Sequence, residues 1–489
     1  MKQEPVKHIL GISAGYHDAA VAVVNSLGDI VYAGHAERYS RQKNDANIHV
    51  DMLFEAARDR HIDHIAYYET PWRRQTRQLY SGQGIEWNRI TTRQVLREQL
   101  GSYFDQVPVT TYNHHQSHAA AGFQTSPYDR ATVVVIDAIG EWDTITIWGA
   151  DYDNGRARYN RLWGQRYPRS IGLFYSAVTE RIGLRPLDEE YITMGMAAWG
   201  EPRYTDTMRI LSEENLHLGV DHMFLGTARD VDIAASAQAV VEEEIYKVMQ
   251  RARAFGWSTN LVYQGGVALN CLANRNLGDY FEKIWIMPSP GDSGSSLGAA
   301  ALAYGGRIKW TNAYLGTEIS GAYPTDALLR GLLRDKITGV ASGRAEFGPR
   351  ALGNRSLLAD PRGPDIKDRV NAIKRRQEFR PFAPVILAEH SDEYFDMPKG
   401  FVDTGYMQAV GRCRQPDLFP AIVHVDGTSR VQTVAQDGSG IRQLLEAWYQ
   451  ATGCPMLLNT SLNIRGEPMV NDRSDADRFE SLYGVRVHS

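Results

Sequence analysis

The start of the chain alternates short apolar runs with turns that contain glycine. The first run covers His8 to Ser13, the turn Gly15-Tyr-His-Asp18 follows, and a second run covers Ala19 to Val24. A third run, Ile30 to Ala33, comes after another turn. Because short apolar runs between turn residues predict β-strands, the chain is expected to begin with three strands joined by tight turns.

The same alternation returns later in the chain. The run Ala131 to Ile136 leads through Asp137-Ala-Ile-Gly140 into the alternating segment Thr144 to Trp148. Helices are predicted for Val240 to Phe255 and for Gly298 to Tyr304. A repeated unit of strands and helices predicts two related halves with a ligand between them. This beginning is similar to that of actin-like ATPases, in which the first turn faces the nucleotide phosphates.

The length of 489 residues exceeds what one hydrophobic core supports and predicts two or three domains. Gly305-Gly306 opens a polar stretch to Tyr323 that is typical of a linker. We therefore predict an N-terminal domain over residues 1–315 and a separate α/β domain over residues 325–489. The net charge of -5 excludes a global basic field for nucleic acid, although a local patch can still bind it.

The composition also bears on the compartment. The three cysteines, Cys271, Cys413 and Cys454, are widely spaced and match neither a disulfide framework nor a zinc site. The polar N-terminus does not resemble a signal peptide, and no apolar run approaches the length of a membrane span. We therefore expect a cytoplasmic protein without a membrane partner.

Two histidines have the spacing of metal ligands. His114 and His118 lie four residues apart, so on a helix both imidazoles face the same side. Asp137, at the end of an apolar run, and Asp292, in a Pro-Gly-rich turn, are the acids best placed to complete a coordination sphere. The alternative is a helix N-terminus with ordinary polar histidines, which is common for this spacing alone.

Basic residues are concentrated in the C-terminal region. Between Arg344 and Arg380 the chain has ten basic residues and five acidic ones, and glycines separate several arginines. Guanidinium groups bind oxyanions through two parallel hydrogen bonds, and glycine lets backbone N–H groups approach. A run of charge is often only a solvated face, but this pattern favours a pocket for several phosphates or carboxylates. After the apolar run Met456 to Leu458, the segment Asn459 to Gly466 adds polar side chains at a strand end.

A second arginine-rich stretch lies between Trp72 and Arg97. It has six arginines, among them Arg73, Arg74 and Arg77, and a single acid, and aromatic residues are interleaved with them. Arginines contact phosphates and aromatic faces stack on unpaired bases, so the stretch predicts a surface for single-stranded nucleic acid. The alternative is a solvated amphipathic helix whose aromatic residues lie in the core.

Several motifs together resemble those of the O-carbamoyltransferases, a family that modifies nodulation factors and antibiotics and has relatives in bacteriophages. The matching segments run in family order from residue 8 to about residue 470. They are Gly15 to Ala22, Ala36 to Lys43, Asn113 to Ala120, Gln264 to Asn270, Pro290 to Gly294, Phe347 to Ser356, Phe379 to Pro384 and Asn459 to Asn463.

The resemblance implies a fold and a reaction. It implies a duplicated actin-like N-terminal domain similar to the tRNA threonylcarbamoyl transferase, and a C-terminal α/β domain similar to threonylcarbamoyl-adenylate synthase. In the C-terminal domain, carbamoyl phosphate is cleaved and the carbamate attacks the α-phosphate of ATP, which gives carbamoyl-adenylate and pyrophosphate. In the N-terminal domain, the carbamoyl group passes to a hydroxyl of the acceptor.

The resemblance also implies roles for individual residues of the C-terminal domain. Two polyanions must be held together there, so positive charge and hydrogen-bond donors are required. The residues that it implies for carbamoyl phosphate and ATP are Arg344, Arg350, Arg355, Lys374, Arg380, Arg430, Asn459 and Ser461.

In the N-terminal domain, the resemblance implies that Gly265, Gly266 and Asn270 bind the nucleoside. It implies the metal ligands His114, His118, Asp137 and Asp292, with Fe²⁺ as the expected ion and Mn²⁺ or Mg²⁺ as alternatives, because this ligand set is not sharply selective. His17 matches the general base, with Asp18 beside it, and an imidazole has a suitable pKa for that role.

One segment departs from the family pattern. Family members commonly have Gly-Lys where this chain has Tyr191-Ile192, so the family's acceptor contacts do not transfer directly. Since phage relatives are expected to modify hydroxymethylated pyrimidines, we predict as acceptor a 5-hydroxymethylpyrimidine, such as 5-hydroxymethylcytosine, in single-stranded DNA or as a nucleotide. Trp72, Arg73, Arg74 and Arg77 are its expected contacts.

Other functions remain open from the sequence. The second expectation for the acceptor is a small natural product, such as a sugar, an aminoglycoside or a polyketide. A non-catalytic nucleotide-binding scaffold and a partner in tRNA modification are the alternatives of a different class. The intact motifs disfavour the scaffold, and the fusion of both domains in one chain disfavours the tRNA partner. A homodimer is compatible with the sequence.

Overall fold

The computed structural model describes residues 7–221, 223–377, 379–401 and 404–489. Residues 1–6, on which the expectation of no signal peptide rests, lie outside the described residues. The chain divides into an N-terminal unit (1–36, 44–273 and 277–311) and a C-terminal unit (37–43, 274–276 and 312–489). The two short segments 37–43 and 274–276 group with the C-terminal unit, which departs from the predicted boundary after residue 315.

The strands of the N-terminal unit form two five-stranded sheets. Their bounds are β1 (His8–Ser13), β2 (Ala20–Asn25), β3 (Ile30–His35), β4 (His64–Tyr67), β5 (Val109–Thr111), β6 (Arg130–Gly140), β7 (Asp143–Asp153), β8 (Arg156–Arg166), β9 (Asn260–Gln264) and β10 (Lys283–Trp285).

The two sheets have the same topology. The first has the order β3-β2-β1-β4-β5, with β1 antiparallel to β2 and parallel to β4. The second has the order β10-β9-β6-β7-β8, with β6 antiparallel to β7 and parallel to β9. Numbered within its own half, each sheet therefore reads 3-2-1-4-5. The predicted α/β fold with a duplicated N-terminal half is confirmed.

The helices follow in chain order. They are α1 (Glu37–Ser40), α2 (Val50–Ala56), α3 (Pro71–Tyr80), α4 (Thr92–Leu100), α5 (His114–Thr125), α6 (Ile171–Arg181), α7 (Glu190–Ala197), α8 (Thr205–Ser212), α9 (Asp230–Ala254), α10 (Cys271–Asn274), α11 (Gly294–Tyr304), α12 (Thr325–Asp335), α13 (Ile366–Lys374), α14 (Ser391–Tyr394), α15 (Gly440–Thr452) and α16 (Arg473–Tyr483). Among the described residues, no helix has the length and the apolar composition needed to cross a membrane.

Helix α11 packs against β1, β2 and α5. The contact is so close that glycines are required on both sides of the helix. A Cβ at Gly11 of β1 would lie 1.9 Å from the carbonyl oxygen of Ser296, and a Cβ at Gly298 would lie 1.8 Å from that of Ser117. This packing determines the position of α5, because both helices are almost completely buried.

The C-terminal unit is built on a mixed sheet. Its strands are β11 (Tyr314–Ile319), β12 (Ile337–Ala341), β13 (Gly343–Glu346), β14 (Arg355–Ala359), β15 (Ala383–Leu387), β16 (Phe395–Asp396), β17 (Gly411–Cys413), β18 (Thr428–Ser429), β19 (Gln432–Val434), β20 (Met456–Ser461) and β21 (Val487–His488). The main sheet has the order β19-β15-β20-β14-β12-β21, and its core contains the fully buried Trp448 of α15.

Candidate functional site

Four side chains from distant parts of the sequence meet in the N-terminal unit. His114 and His118 lie on the first turns of α5, Asp137 near the end of β6, and Asp292 just before α11. The two Nε2 atoms are 3.1 Å apart. Asp292 Oδ1 lies 3.3 Å from the first and 3.2 Å from the second, and Asp137 Oδ2 lies 3.3 Å from His114 Nε2. One ligand atom of each residue lies within 4.8 Å of the others, and all four residues are buried.

The far side of each ligand residue is also held. Nδ1 of His118 lies 3.1 Å from the carbonyl oxygen of Pro290, and Nδ1 of His114 lies 3.5 Å from a carboxylate oxygen of Glu69. The backbone N–H of Gly266 donates to Asp137 Oδ1 at 3.0 Å. Acceptors behind metal-binding imidazoles orient the ring so that the other nitrogen faces the ion. The Nε2 atoms of both histidines therefore face the cluster.

The charges of the cluster suit a divalent cation. Burial would raise the pKa of the Asp137 and Asp292 carboxyls, yet the neighbouring imidazoles, His114 foremost, hold both pKa values well below the usual range. Both carboxyls are therefore ionised. Two imidazole nitrogens and two carboxylate oxygens at these separations fit Fe²⁺, Mn²⁺ or another divalent metal ion.

His17 lies next to this cluster, in the turn between β1 and β2. Its Nε2 is 3.6 Å from Asp292 Oδ2, and its Nδ1 is 3.4 Å from Asp18 Oδ2. Burial alone would lower the pKa of His17, but the carboxylates of Asp292 and Asp18 outweigh it and raise the pKa to about 9. Asp18 has a positive φ of 50°, which the tight turn requires.

The turn after β9 contains Gly265 and Gly266 and contacts the Asp137 side of the cluster. Gly265 has a φ of 92°, and a Cβ there would lie 2.1 Å from the carbonyl oxygen of Ile136. Only glycine allows this approach, and it brings the N–H of Gly266 to Asp137. Asn270 exchanges two hydrogen bonds of 3.0 Å with Gln238. The binding of a nucleoside by these three residues stays a prediction.

A cavity of about 150 Å³ opens beside the cluster. Its lining includes His17, His114, Asp137 and Asp292, and also Arg74 and Arg77 of α3. Neither Tyr191 nor Ile192, the pair that departs from the family pattern, is among the described residues that line it.

The position of these arginines corrects the prediction of an open nucleic-acid surface. Arg77 is 4% exposed, and Arg74 is tied to Glu69 at 3.0 Å and to the carbonyl oxygen of Gly15 at 3.2 Å. Arg73 pairs with the buried Glu141 at 3.3 Å. Helix α3 thus turns Arg74 and Arg77 inward, and guanidinium groups that are buried or held by internal partners cannot follow a nucleic-acid backbone. Trp72 is 55% exposed and does lie on the surface.

In the C-terminal unit, Lys374 at the end of α13 is almost completely buried. Its Nζ donates to the backbone and side-chain oxygens of Ser461 and to Asn463 Oδ1. Burial lowers the pKa of Lys374 well below its usual range, and the positive charges of Arg376, Arg380 and Lys43 lower it further. Among the described residues, the hydrogen-bond acceptors of Nζ are neutral oxygens, and the neighbouring positive charges make this region suited to an anion.

Asn459 lies at the centre of the main sheet. Its Nδ2 donates to Ala351 O at 3.0 Å and to Gln432 Oε1 at 2.7 Å. Within the described residues, its buried Oδ1 has no hydrogen-bond partner, and neither has the buried Nε of Arg430. Unpaired buried polar atoms are rare and often mark ligand sites. Arg350 and Arg380 are half-buried, and their contacts with phosphates stay predictions.

Arg355 is a correction to the set of phosphate-binding residues. Its side chain is completely buried, and its guanidinium donates to five backbone carbonyls, those of Thr317, Ser342, Gly343, Asn354 and Asn471. A guanidinium engaged in this way holds loops together. Arg344 likewise donates to the carbonyls of Leu315 and Gly316 in β11.

The structure adds residues that the sequence analysis missed. Glu346 accepts from the N–H groups of Leu352, Asn354 and Arg355, which shapes the loop after β13. Glu69 and Glu141 bond the N-terminal end of α5 and the arginines of α3. A single acid without a spacing pattern does not indicate a functional site in a sequence. An acid close to several arginines, however, indicates an ion pair.

Two family models match the chain. The model for the carbamoyltransferase N-terminus matches residues 89–301, and that for the carbamoyltransferase C-terminus matches residues 330–486. The chain is 33% identical to an uncharacterized Synechocystis protein, sll1178, with 96% of this chain and 94% of that protein aligned. It is 31% identical to nodulation protein NolO of Bradyrhizobium diazoefficiens (74% and 75%) and 29% identical to the 3'-hydroxymethylcephem-O-carbamoyltransferase of Amycolatopsis lactamdurans (96% and 95%).

Among solved structures, component A of the (R)-2-hydroxyglutaryl-CoA dehydratase of Acidaminococcus fermentans aligns with 61% of this chain and 98% of its own, at 14% identity and a TM-score of 0.33. The full-length HypF structure aligns with 61% of this chain and 55% of its own, at 13% identity and a TM-score of 0.34.

The first prediction separates His114 from its neighbour His115. Both are buried on α5, but His115 bonds Thr146 at 2.9 Å and does not belong to the cluster. His114→Ala should weaken Fe²⁺ or Mn²⁺ binding by more than about 100-fold, because it removes a ligand. His115→Ala is the matched control and should keep the metal. Metal content by mass spectrometry after dialysis measures both, and equal metal loss would contradict the assignment.

The second prediction concerns Arg355. Arg355→Lys keeps the charge but has too few donors for five carbonyls, so it should destabilise the chain by about 3–5 kcal/mol. Calorimetry of the full chain should show one unfolding transition moving down by about 10 °C. Arg350→Lys, at a half-buried position, should leave the transition unchanged. A stable Arg355→Lys protein that has lost only nucleotide binding would instead restore Arg355 to the phosphate site.

Proposed function

Because this chain belongs to the carbamoyltransferase family and is an O-carbamoyltransferase, we propose that it forms its own activated donor, carbamoyl-adenylate. Carbamoyl phosphate and water give carbamate and phosphate, and the carbamate attacks the α-phosphate of ATP and releases pyrophosphate. The carbamoyl group then passes to an alcohol, with AMP as the leaving group. The observation that carries the proposal is the pairing of two different sites, a cationic one in the C-terminal unit and the His/Asp cluster in the N-terminal unit.

The surroundings of Lys374 support adenylate formation in the C-terminal unit. Among the described residues, the hydrogen-bond acceptors of its buried Nζ are neutral oxygens, and the charges of Arg376, Arg380 and Lys43, which add to the lowering of its pKa by burial, are positive. Binding two polyanions would offset this accumulation of positive charge. The unpaired Oδ1 of Asn459 can accept from the amino group of carbamate or of carbamoyl phosphate, which has N–H donors where a simple phosphate has none.

The cluster in the N-terminal unit supports the transfer step. His114, His118, Asp137 and Asp292 would hold a divalent ion, for which we propose Fe²⁺. When bound, this ion supplies Lewis-acid polarisation of phosphate and carbamoyl oxygens and neutralises the Asp292 carboxylate.

His17 is placed to handle the proton of the acceptor hydroxyl. It lines the cavity, and Asp18 lies 3.4 Å from its Nδ1, which orients the ring with Nε2 toward the cluster. The negative charge of Asp292 is the main reason for its raised pKa. Compensation of that charge would therefore lower the pKa of His17 toward neutrality, where an imidazole can accept a proton.

For the acceptor we propose a 5-hydroxymethylpyrimidine nucleotide. The name of one relative, 3'-hydroxymethylcephem-O-carbamoyltransferase, describes an acceptor with a hydroxymethyl group on an unsaturated six-membered ring, and a hydroxymethylpyrimidine shares that feature. The cavity of about 150 Å³ suits a flat ring better than a polymer. Since Arg77 is buried and Arg74 is held inward by Glu69 and Gly15, we favour a nucleotide over a DNA strand. A small natural product of cephem type is the second candidate.

The third prediction separates the two half-reactions. Lys374→Ala and Asn459→Ala should abolish ATP–pyrophosphate exchange that depends on carbamoyl phosphate, since both remove contacts in the cationic site. His17→Ala should keep this exchange within about threefold and lower product formation by about 100-fold or more, as expected for loss of a general base. Lys399→Ala, an exposed lysine of the same unit, is the control. Equal loss of both activities in every variant would contradict two distinct sites.

The fourth prediction identifies the acceptor. We expect a mass increase of one carbamoyl group on 5-hydroxymethyl-dCMP when the full chain is incubated with ATP, carbamoyl phosphate and Fe²⁺. Single-stranded oligonucleotides that contain the same base should react more slowly, because a cavity of about 150 Å³ holds a single ring more readily than a strand. Turnover of a hydroxymethylcephem or a sugar alcohol, with no carbamoylation of any hydroxymethylpyrimidine, would replace this acceptor by the natural-product candidate and leave the carbamoyltransferase activity unchanged.

A further inference from the structure

We propose that the acceptor carries a carboxylate or a phosphate in addition to its hydroxyl, and that the guanidinium of Arg77 binds this anionic group inside the cavity. The inference rests on the proposed transfer of a carbamoyl group to an alcohol in that cavity, and it adds a binding subsite for the rest of the acceptor. It therefore defines a chemical class, the acidic alcohols, that is broader than any single acceptor.

The surroundings of Arg77 are unusual for a buried cation. The residue is 4% exposed, its Nη1 donates to the neutral Oε1 of Gln83 at 3.0 Å, and its Nε has no hydrogen-bond partner among the residues that the structure describes. Within the described residues, no carboxylate oxygen lies within the 4.0 Å of an ion pair from this guanidinium. Burying a charge without a partner is costly, so such groups are retained where a ligand supplies the opposite charge.

The neighbouring arginines of α3 are in a different situation. Arg74 pairs with Glu69 at 3.0 Å and Arg73 pairs with Glu141 at 3.3 Å, so each has a carboxylate partner. Both of these acids also line the cavity, and both are already engaged. Arg77 is therefore the cavity residue on α3 whose positive charge is left for a ligand.

Two other residues of the cavity wall are consistent with an anion at this place. The Nδ1 of His217 is buried and finds no hydrogen-bond partner in the described part of the chain, and burial together with the charge of Arg77 lowers the pKa of His217. A neutral imidazole beside Arg77 can donate one further hydrogen bond to a bound oxyanion. Of the other carboxylates of the lining, Asp137 and Asp292 belong to the His/Asp cluster, and Glu180 is exposed and lies beyond ion-pair distance of Arg77 among the described residues.

Arg77 and the reacting groups line one cavity, which gives the acceptor two points of attachment. The hydroxyl lies by His17 and the His/Asp cluster, while the anionic group lies by the guanidinium. Attachment at two points fixes the orientation of the hydroxyl, and a bidentate guanidinium–oxyanion contact is among the most directional that proteins form. Neutral sugars and aminoglycosides lack the second point and should be poor acceptors.

The test uses pairs of alcohols that differ only in the anionic group. One pair is 5-hydroxymethyl-dCMP and its nucleoside, and the other is a 3'-hydroxymethylcephem carboxylic acid and its methyl ester, so the pairs report on phosphate and carboxylate separately. We expect the wild-type chain to prefer the anionic member. Arg77→Gln should lower the ratio of kcat/KM for the anionic over the neutral member by about 100-fold, and Arg77→Lys should restore part of it. Arg93→Gln, at an exposed position of α4, is the control.

The ratio compares two acceptors on the same variant. A partial loss of folded protein lowers kcat/KM for both acceptors equally and leaves their ratio unchanged. An unchanged ratio in Arg77→Gln, with equal loss for both members, would overturn the inference and assign Arg77 to the carbamoyl donor. Preference for the cephem acid without any turnover of the pyrimidine pair would instead overturn the proposed pyrimidine acceptor and support the anion subsite. Preference of the wild-type chain for the neutral members would overturn the subsite directly.

Discussion

Two buried carboxylates, Asp137 and Asp292, lie together in the N-terminal unit, and their negative charges determine the electrostatics of the neighbouring side chains. Like charges at this distance repel strongly where water is excluded, so they require compensation. The imidazoles of His114 and His118 supply part of that compensation, and a divalent cation held by the four side chains would supply the rest. His17, whose pKa is raised to about 9 chiefly by Asp292 and Asp18 against the effect of burial, belongs to this electrostatic unit as well. The account of carbamoyl transfer therefore depends on this cluster.

The duplicated topology explains how residues so far apart in sequence meet. In each half the first strand is followed by a turn that leads into an antiparallel second strand. His17 comes from this turn in the first half, and Asp137 comes from the corresponding end of the first strand in the second half. Helix α5 begins with His114, and the tight packing of α11 against α5 and β1 brings Asp292 to the same place. Gly11 and Gly298, which allow this close packing, are thus as necessary for the geometry of the cluster as its four side chains.

Much of this cluster could be predicted from the sequence, because its signals are local. The spacing of His114 and His118, an acid at a strand end and an acid in a Pro-Gly turn each point to a site on their own. The roles of the arginines could not be predicted in the same way, because a sequence does not show whether a guanidinium binds a ligand or donates to a backbone carbonyl. The guanidinium of Arg355 donates to backbone carbonyls, and the side chain of Arg77 is buried. The grouping of residues 37–43 with the C-terminal unit depends on long-range contacts, such as Arg41 with Asp475 at 3.1 Å, and has no local signal.

The most direct test of the metal cluster is anomalous diffraction from crystals of the full chain grown with Fe²⁺ and measured on both sides of the iron absorption edge. We expect one strong anomalous peak within about 2.0–2.3 Å of His114 Nε2, His118 Nε2 and a carboxylate oxygen of Asp137 and of Asp292. A protein that transfers the carbamoyl group while its iron peak lies elsewhere, or while these four side chains contact one another without a metal, would contradict the account.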